Sequence, residues 1–236
     1  KTFTLNSVSN PGVNGTVTFA ERDDDQVLVT IQLTGTQSGS THPAHIHSNT
    51  AAEGGKIVLD LSAVNGADGK SETVVKALND GTALLYNDLL SFDGYVNVHL
   101  SESDLATLVV QGDIGQNELT GDTKVYKLMP VADPAVSGTA TFAKRQNGST
   151  LVTVALDGTQ AGATHPSHIH ANTIAQGGSI VMNLKSVDGT TGLAICTSCG
   201  GTCRGRSSTA PGSPARTCSH CRARTGRSWP RPRSAA

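Results

Sequence analysis

The sequence predicts an all-β protein made of two β-sandwich or Greek-key barrel domains in tandem, the second one incomplete and followed by a disordered basic tail. Three observations predict this: segments in which apolar and polar residues alternate, turn-forming clusters between them, and a histidine motif that recurs at a fixed distance. Alternation with a period of two is typical of half-buried strands. Several short strands with few helices indicate a sandwich or a small barrel.

The first two strands show the alternation most clearly. Residues 16–22 place Val17 and Phe19 on one face, and residues 27–34 place four aliphatic side chains on one face. Clusters of Gly, Asn, Asp and Ser between the segments predict turns. One helix is predicted at residues 83–91. Further strands are predicted at residues 57–61, 73–78, 95–100, 105–111 and 124–128.

A histidine motif marks an internal repeat. His42-Pro43-Ala44-His45-Ile46-His47 recurs 123 residues later as His165-Pro166-Ser167-His168-Ile169-His170. Residues 15–69 and 138–192 share 31 identities in 55 positions without a gap. We interpret this as a tandem duplication, with a complete domain at residues 1–123 and a partial second domain at residues 124–192.

The similarity stops abruptly after Gly192, where residues 193–236 share no identity with residues 70–113. The composition changes at the same point: residues 1–192 contain 10 Lys and Arg against 19 Asp and Glu, whereas residues 193–236 contain 8 Arg and none of the other three. We predict that residues 193–236 are a disordered Cys- and Arg-rich tail or are translated out of frame. A shifted reading of residues 195–209 permits a string that resembles residues 74–86.

Composition excludes several classes of protein. An apolar fraction of 36% and a charged fraction of 16% rule out a coiled coil, a collagen and a highly charged disordered chain. No segment approaches the ~18 consecutive apolar residues of a membrane-spanning helix, so we expect no membrane span. The chain begins at Lys1, and we expect that a leader was removed from a longer precursor.

The histidines are the main chemical signal. On a strand, His45 and His47 project from one face roughly 6–7 Å apart, which allows two imidazoles to meet one ion. His42 before Pro43 adds a third imidazole, and His99 on a neighbouring strand a fourth. Neutral imidazoles suit zinc, copper or nickel, and three of them leave a position for water or substrate. The alternative is that these side chains are hydrogen-bonded to loop carbonyls.

The predicted metal ligands therefore form one set in each repeat. The ion is expected to be zinc or copper. The ligands are His42, His45, His47 and His99 in the first repeat and His165, His168 and His170 in the second.

These residues also carry a family resemblance. A strand ending at Gly35-Thr36, the motif at residues 42–47, a Gly-Gly pair before residues 57–59, and Gly-Tyr-Val-Asn-Val-His at residues 94–99 resemble the CHRD domain, a module named from chordin. The resemblance extends through the second repeat to Gly192. It implies an immunoglobulin-like β-barrel outside the cytoplasm, often in tandem. In chordin, the wider protein binds growth factors.

A weaker resemblance joins the His45-Ile46-His47 segment to the copper site of copper/zinc superoxide dismutase, which is also a Greek-key barrel. The chain departs from that family because residues 1–192 have no cysteine for the disulfide, and no histidine run with an aspartate follows at zinc-site spacing. A metal-dependent redox enzyme is therefore an alternative function. No catalytic residue is predicted.

The tail offers another alternative, a zinc ribbon. Cys196, Cys199, Cys218 and Cys221 form two C-x-x-C pairs with 18 residues between them, and eight arginines lie nearby. This spacing is typical of a nucleic-acid-binding zinc module. The segment has almost no large apolar residues for a core, however, and Arg, Pro, Gly and Cys are what a shifted GC-rich gene encodes. We therefore do not expect a nucleic-acid partner.

Taken together, the sequence predicts a secreted, periplasmic or cell-surface protein that acts by binding rather than by catalysis. Its expected partner is an extracellular protein or a surface ligand, with a metal ion in each repeat.

Limited proteolysis checks the domain prediction. We expect residues 1–123 to resist cleavage, because a closed core protects the backbone, and the chain after about Gly192 to be cut readily. Mass spectrometry of the fragments locates the cleavage sites. A protected segment at residues 193–236 would contradict the prediction.

Overall fold

The structure is a computed structural model that describes residues 1–198 of the chain. These residues form sixteen strands and one short α-helix, α1 (Tyr86–Leu90), with a 3₁₀ turn at Asp23–Asp25. The strands are β1 (Thr2–Ser7), β2 (Asn14–Glu21), β3 (Val27–Thr34), β4 (Thr41–Ser48), β5 (Ile57–Asn65), β6 (Lys70–Val75), β7 (Asp93–Ser101), β8 (Asp104–Gly115), β9 (Leu119–Leu128), β10 (Ser137–Arg145), β11 (Thr150–Asp157), β12 (Thr164–His165), β13 (His168–His170), β14 (Ile180–Asn183), β15 (Val187–Asp188) and β16 (Leu193–Ser198).

The first eight strands close into an antiparallel barrel in the order β1-β2-β3-β6-β5-β4-β7-β8, with β8 paired to β1. Inward-facing residues of successive strands form the core, among them Phe19, Ile31, Ile46 and Ile114, each at most 1% exposed. The alternation that marks β2 and β3 in the sequence is the alternation between this core and the outer surface. The all-β barrel prediction is confirmed.

Most predicted elements lie where the sequence places them, with shifted ends. The predicted helix at residues 83–91 is shorter in the structure and covers only α1. The strand predicted at residues 105–111 extends to Gly115. The first strand, β1, was not predicted, although it closes the barrel.

Residues 119–198 form a second, open arrangement. β12, β15, β16, β11, β10 and β9 make a six-stranded sheet in that order, and β13 and β14 make a separate two-stranded ribbon. The strand registers repeat those of the barrel at the same offset of 123: Thr30 faces Glu72 and Thr153 faces Ile195, while His45 faces Asp60 and His168 faces Asn183. The repeat in the sequence is thus also a repeat in backbone pairing.

The sheet continues beyond the point where sequence similarity ends. Residues 193–198, which the sequence assigns to the tail, form β16 and pair with β11 as β6 pairs with β3. Residues 199–236, the rest of the predicted tail, lie outside the described part of the chain. The disordered and out-of-frame interpretations of those residues therefore remain predictions.

Residues 119–198 contain no counterpart of β7 or β8. Faces that are covered in the barrel are consequently open here. Phe3 is 3% exposed, whereas Tyr126, at the matching position on β9, is 53% exposed. Ile46 is fully buried, whereas Ile169 is only half-buried.

A buried ion pair joins the second sheet to the barrel. Arg145 at the end of β10 is fully buried, and its guanidinium donates hydrogen bonds to the Asp113 carboxylate and to the Asn117 carbonyl oxygen. Asp113 also accepts a hydrogen bond of 2.8 Å from the backbone N–H of Ala51. Arg22, at the matching position of the barrel, is exposed. Burial of the arginine charge is tolerated because Asp113 compensates it.

Residues 119–198 also contact the segment at residues 49–55, which follows β4. The Lys185 ammonium donates to the Ala52 carbonyl oxygen. The hydroxyl groups of Thr197 and Thr50 lie 3.1 Å apart. Both sheets therefore hold this segment.

Within residues 1–198, no helix has the length and apolar character needed to cross a membrane.

A matched pair of substitutions tests the difference between the closed barrel and the open second sheet. Ile46→Ala is expected to lower the free energy of unfolding of the barrel by about 2–5 kcal/mol, because it leaves a cavity in a closed core. Ile169→Ala should lower the free energy of unfolding clearly less, since Ile169 is half-buried beside an open edge. Chemical denaturation followed by hydrogen exchange measures both. Equal losses would show that the second sheet is closed in solution.

Candidate metal centre

The candidate site lies on the outer face of β4, the strand between β5 and β7. Ala44 and Ile46 point into the core and are fully buried, so strand alternation places His45 and His47 on the opposite face. β7 pairs with β4 in a register that sets Asn97 opposite His45, and it brings His99 to the same side.

His45, His47 and His99 converge. A nitrogen from each imidazole lies within 4.8 Å of the nitrogens of the other two. The ring centroids of His45 and His99 are 5.1 Å apart, and those of His45 and His47 are 6.1 Å apart. Three neutral nitrogens facing one another are a ligand set that suits zinc or copper.

Backbone carbonyls orient two of the three rings. Nδ1 of His47 lies 3.0 Å from the Gly55 carbonyl oxygen, and Nδ1 of His99 lies 2.7 Å from that of Leu105. A carbonyl oxygen can only accept, so Nδ1 carries the proton and Nε2 keeps its lone pair in both rings. Metal-ligating histidines are commonly fixed in this way, through the nitrogen that does not bind the metal.

The remaining nitrogens are those that a metal would use. Nε2 of His99 and Nδ1 of His45 are buried and have no hydrogen-bond partner. The other nitrogen of His45, Nε2, lies 3.8 Å from the Asp60 carboxylate. Because unpartnered buried polar atoms are costly, they call for an explanation, and a shared cation supplies one.

Tyr95 and Gly55 hold His47 in position. The Tyr95 ring stacks on the His47 ring at a centroid distance of 4.9 Å, and its hydroxyl accepts a hydrogen bond of 3.0 Å from the Gly55 backbone N–H. A side chain at residue 55 would overlap the Ser48 carbonyl oxygen. Glycine there lets the backbone approach β4 closely enough for its carbonyl to reach His47.

Asn97 lies beside the cluster and contacts it. Its amide nitrogen is 3.4 Å from Nε2 of His47, and its side-chain oxygen accepts a hydrogen bond of 2.7 Å from Gln111. The amide therefore faces the same lone pair that would bind a metal. A metal ion and the Asn97 amide compete for Nε2 of His47.

Burial lowers the pKa of His45, an effect that nearby His99 and His47 reinforce and the Asp60 carboxylate opposes. Burial also lowers the pKa of His99, against the opposing effect of its hydrogen bond to Leu105. Both rings are thus held in the neutral form, which is the form that binds metal.

The structure does not bring His42 into this group. Alternation along β4 turns His42 to the same side as Ala44 and Ile46, away from His45, and the ring is 5% exposed. Nδ1 of His42 lies 3.1 Å from the His99 carbonyl oxygen and Nε2 lies 2.9 Å from the Ser40 hydroxyl. Residues three apart on a strand face opposite sides, which separates His42 from His45.

The histidines of the second repeat form no cluster of three within residues 1–198. His168 and His170 lie on β13 with ring centroids 6.1 Å apart, as His45 and His47 do. The matching third ligand is absent because the described residues have no counterpart of β7. His165 pairs into the separate strand β12, and its Nε2 is buried without a partner.

Sequence reasoning also missed several groups around the site. Gly55 and Leu105 orient two of the rings and Asp60 lies near the third, and none of them was singled out as a functional residue. The signal for Gly55 was present, because the Gly-Gly pair at residues 54–55 recurs at residues 177–178. The Leu105 contact is made by a backbone carbonyl and carries no signature in the residue type.

The cysteines of the proposed zinc ribbon are not brought together in the described residues. Cys196 lies on β16 as a free cysteine, with its sulfur 3.8 Å from the Val152 carbonyl oxygen. Cys199, Cys218 and Cys221 lie outside the described part of the chain.

The fold and the site define a β module: a closed antiparallel barrel with three convergent histidines on the outer face of its strands. Residues 3–104 match the family described as the CHRD domain. The matched range contains His45, His47 and His99. A comparison with curated proteins finds no match.

The lowered histidine pKa values predict how the metal-free protein responds to acid. The unfolded chain takes up protons near pH 6.5, whereas folded His45 and His99 resist them, so the unfolded state binds more protons. The free energy of unfolding should therefore fall as the pH drops from about 7 through 6.5 toward the lowered folded values.

Denaturant titrations in EDTA at several pH values measure this slope. A His99→Gln variant is the control and should show a shallower dependence, because it removes one of the two titrating groups. A wild-type stability that does not change between about pH 7 and 5 would contradict the prediction.

Proposed function

We propose that this protein is a secreted or cell-surface binding module whose barrel holds one metal ion through His45, His47 and His99. The observation that carries the proposal is the pair of buried nitrogens without partners, Nδ1 of His45 and Nε2 of His99, in two rings that converge with the His47 ring. The other nitrogen is hydrogen-bonded to a carbonyl oxygen in His47 and His99 and lies 3.8 Å from the Asp60 carboxylate in His45. Such an outer shell is typical of metal-binding histidines.

The proposed ion is zinc or copper. Three imidazole nitrogens satisfy three positions of a tetrahedral ion and leave the fourth for an external ligand. The His45 side chain is 16% exposed, so the cluster is open to solvent on its side. A carboxylate or imidazole of an extracellular partner is the kind of donor that fits the fourth position.

The binding role is also proposed for the protein as a whole, together with its location outside the cytoplasm. The CHRD domain, an extracellular-type β module, supports this location. We further propose that residues 124–192 are a truncated second copy of the domain, on the strength of the shared residues and the shared strand registers.

The second candidate is a copper-dependent redox activity of the dismutase type. Convergence of His45 and His47 with a third histidine on an antiparallel barrel favours it, since three nitrogens leave room for a small oxidant on copper. A superoxide-removal assay of the copper-loaded chain separates the two candidates. Activity no greater than that of free copper at the same concentration supports the binding role.

Metal titration tests the proposed centre. The wild-type chain is expected to bind one equivalent of zinc or cobalt tightly, with a cobalt absorption spectrum of a tetrahedral site. His47→Ala should weaken binding by at least about 100-fold, since loss of an outer-shell partner alone costs about 10–100-fold. Equilibrium dialysis with elemental analysis measures affinity and stoichiometry.

His170→Ala is the matched control, because His170 occupies the corresponding position in the second repeat and lies outside the cluster. It should leave the tight site unchanged. Circular dichroism verifies that both variants are folded. Equal affinities for the wild type and His47→Ala would refute the proposed centre.

A further inference from the structure

Within residues 1–198, the ribbon formed by β13 and β14 has a free edge. In the barrel, β4 is paired on both sides, with β5 on one side and β7 on the other. β13 matches the second half of β4 and, within residues 1–198, pairs only with β14. The side that β7 covers in the barrel is therefore unpaired on β13.

The uncovered edge has the same residues as the covered one. His-Ile-His at residues 45–47 recurs at residues 168–170. Asn49 and Asn172, which follow the two strands, have φ values of 67° and 66°. Nδ1 of His170 lies 2.9 Å from the Gly178 carbonyl oxygen, as Nδ1 of His47 lies 3.0 Å from that of Gly55.

Apolar side chains of β14 and β9 are also exposed. Val181 on β14 is 61% exposed, and Tyr126 on β9 is 53% exposed. In the barrel, the positions that match Val181 and Tyr126 are Val58, packed against the core, and Phe3, within it. In the barrel, the β7–β8 hairpin closes the gap between β4 and β1.

We propose that the edge of β13 accepts a β-hairpin of the β7–β8 type from another CHRD-type chain. The guest strand would pair with residues 167–171 as residues 94–98 pair with residues 44–48. Strand addition to an exposed edge gains backbone hydrogen bonds and covers apolar side chains.

A histidine at the His99 position of the guest would then meet His168 and His170. This completes a three-histidine metal site shared between two chains, since the first two ligands are already held at the separation found in the barrel. The shared metal site rests on the proposed function of the barrel cluster, whereas the strand pairing does not.

The other side of the opening differs from the barrel. Pro130 stands where Ser7 pairs with Val110 of β8, and proline has no N–H to donate. Pairing between the guest and β9 is therefore weaker than pairing between β8 and β1. The β13 edge and the histidine pair provide the recognition.

The chain's own hairpin is not the preferred guest. β7 and β8 already close the barrel, and Val96, Val98 and Val110 on them are fully buried in its core. Giving them to a second copy would open that core. A separate chain with an available hairpin avoids this cost.

The test uses the full chain and a fluorescent peptide with the sequence of residues 93–115. Anisotropy in EDTA is expected to show saturable binding without metal. A peptide with Val96→Pro and Asn97→Pro should bind at least about tenfold more weakly, because proline removes ladder donors. Absence of saturable peptide binding, with and without zinc, overturns the docking proposal whatever the barrel site does.

The metal arm uses a His45→Ala/His47→Ala chain, in which the barrel site is removed. Cobalt absorption is expected to appear only when the peptide is added, and a His99→Ala peptide should bind without producing it. A chain carrying His168→Ala and His170→Ala in addition is the matched control. Peptide binding without any new cobalt site overturns the shared metal site.

The outcomes keep the two proposals apart. One outcome is that the chain binds the peptide in EDTA but, in a separate titration without peptide, takes up no zinc or cobalt. This outcome supports docking and refutes the barrel metal centre. If the chain binds one metal ion but does not bind the peptide, the barrel metal centre is supported and docking is refuted. Sedimentation measures whether the wild-type chain associates with itself. If it does, and if the associated form no longer binds the peptide, the preference for a separate chain is overturned.

Discussion

The position of β4 between β5 and β7 is the constraint on which the rest of the structure depends. Its backbone is hydrogen-bonded on both sides, so its side chains can only alternate between the core and the outer face. Ile46 is thereby committed to the core, and His45 and His47 to the outer face, where His45 is partly exposed and His47 is buried. A slip of one residue would turn the two imidazoles into the apolar core and Ile46 out of it, which makes the register of this strand expensive to change. The same pairing brings His99 from β7 to the other two rings.

The site around these rings combines backbone and side-chain control. Carbonyl oxygens of Gly55 and Leu105 fix the protonated nitrogen of two histidines, so the direction of their lone pairs does not depend on flexible side chains. Tyr95 links the two components, since it stacks on His47 and accepts a hydrogen bond from Gly55. A cluster arranged in this way retains two buried nitrogens without partners, and a purely structural role for the histidines gives no benefit in return for that cost.

Sequence reasoning succeeded where a pattern has a physical period and failed where the structure is set by contacts distant along the chain. The alternation in β2 and β3 predicted two central strands, and the spacing of His45 and His47 predicted their common face. His99 lies beside them because Asn97 and His99 share a face of β7. His42 lies outside this group because its spacing from His45 is odd. β1 was missed although Phe3 and Leu5 alternate with threonines, because this alternation spans only residues 2–5 and the strand's partners are distant along the chain. The hydrogen bond from His99 to Leu105 uses the backbone, so any residue type there would serve.

The buried pair of Arg145 and Asp113 removes the freedom that a linker between two modules usually provides. Asp113 accepts a hydrogen bond from Ala51, and Lys185 donates one to Ala52. Ala51 and Ala52 belong to the segment that ends at Gly55, whose carbonyl oxygen is hydrogen-bonded to His47. The barrel and the second sheet are therefore joined by direct contacts and not only by the chain between them. A load applied to the second sheet reaches the histidine cluster through that segment, so mechanical force on one part of the molecule is transmitted to the geometry of the other.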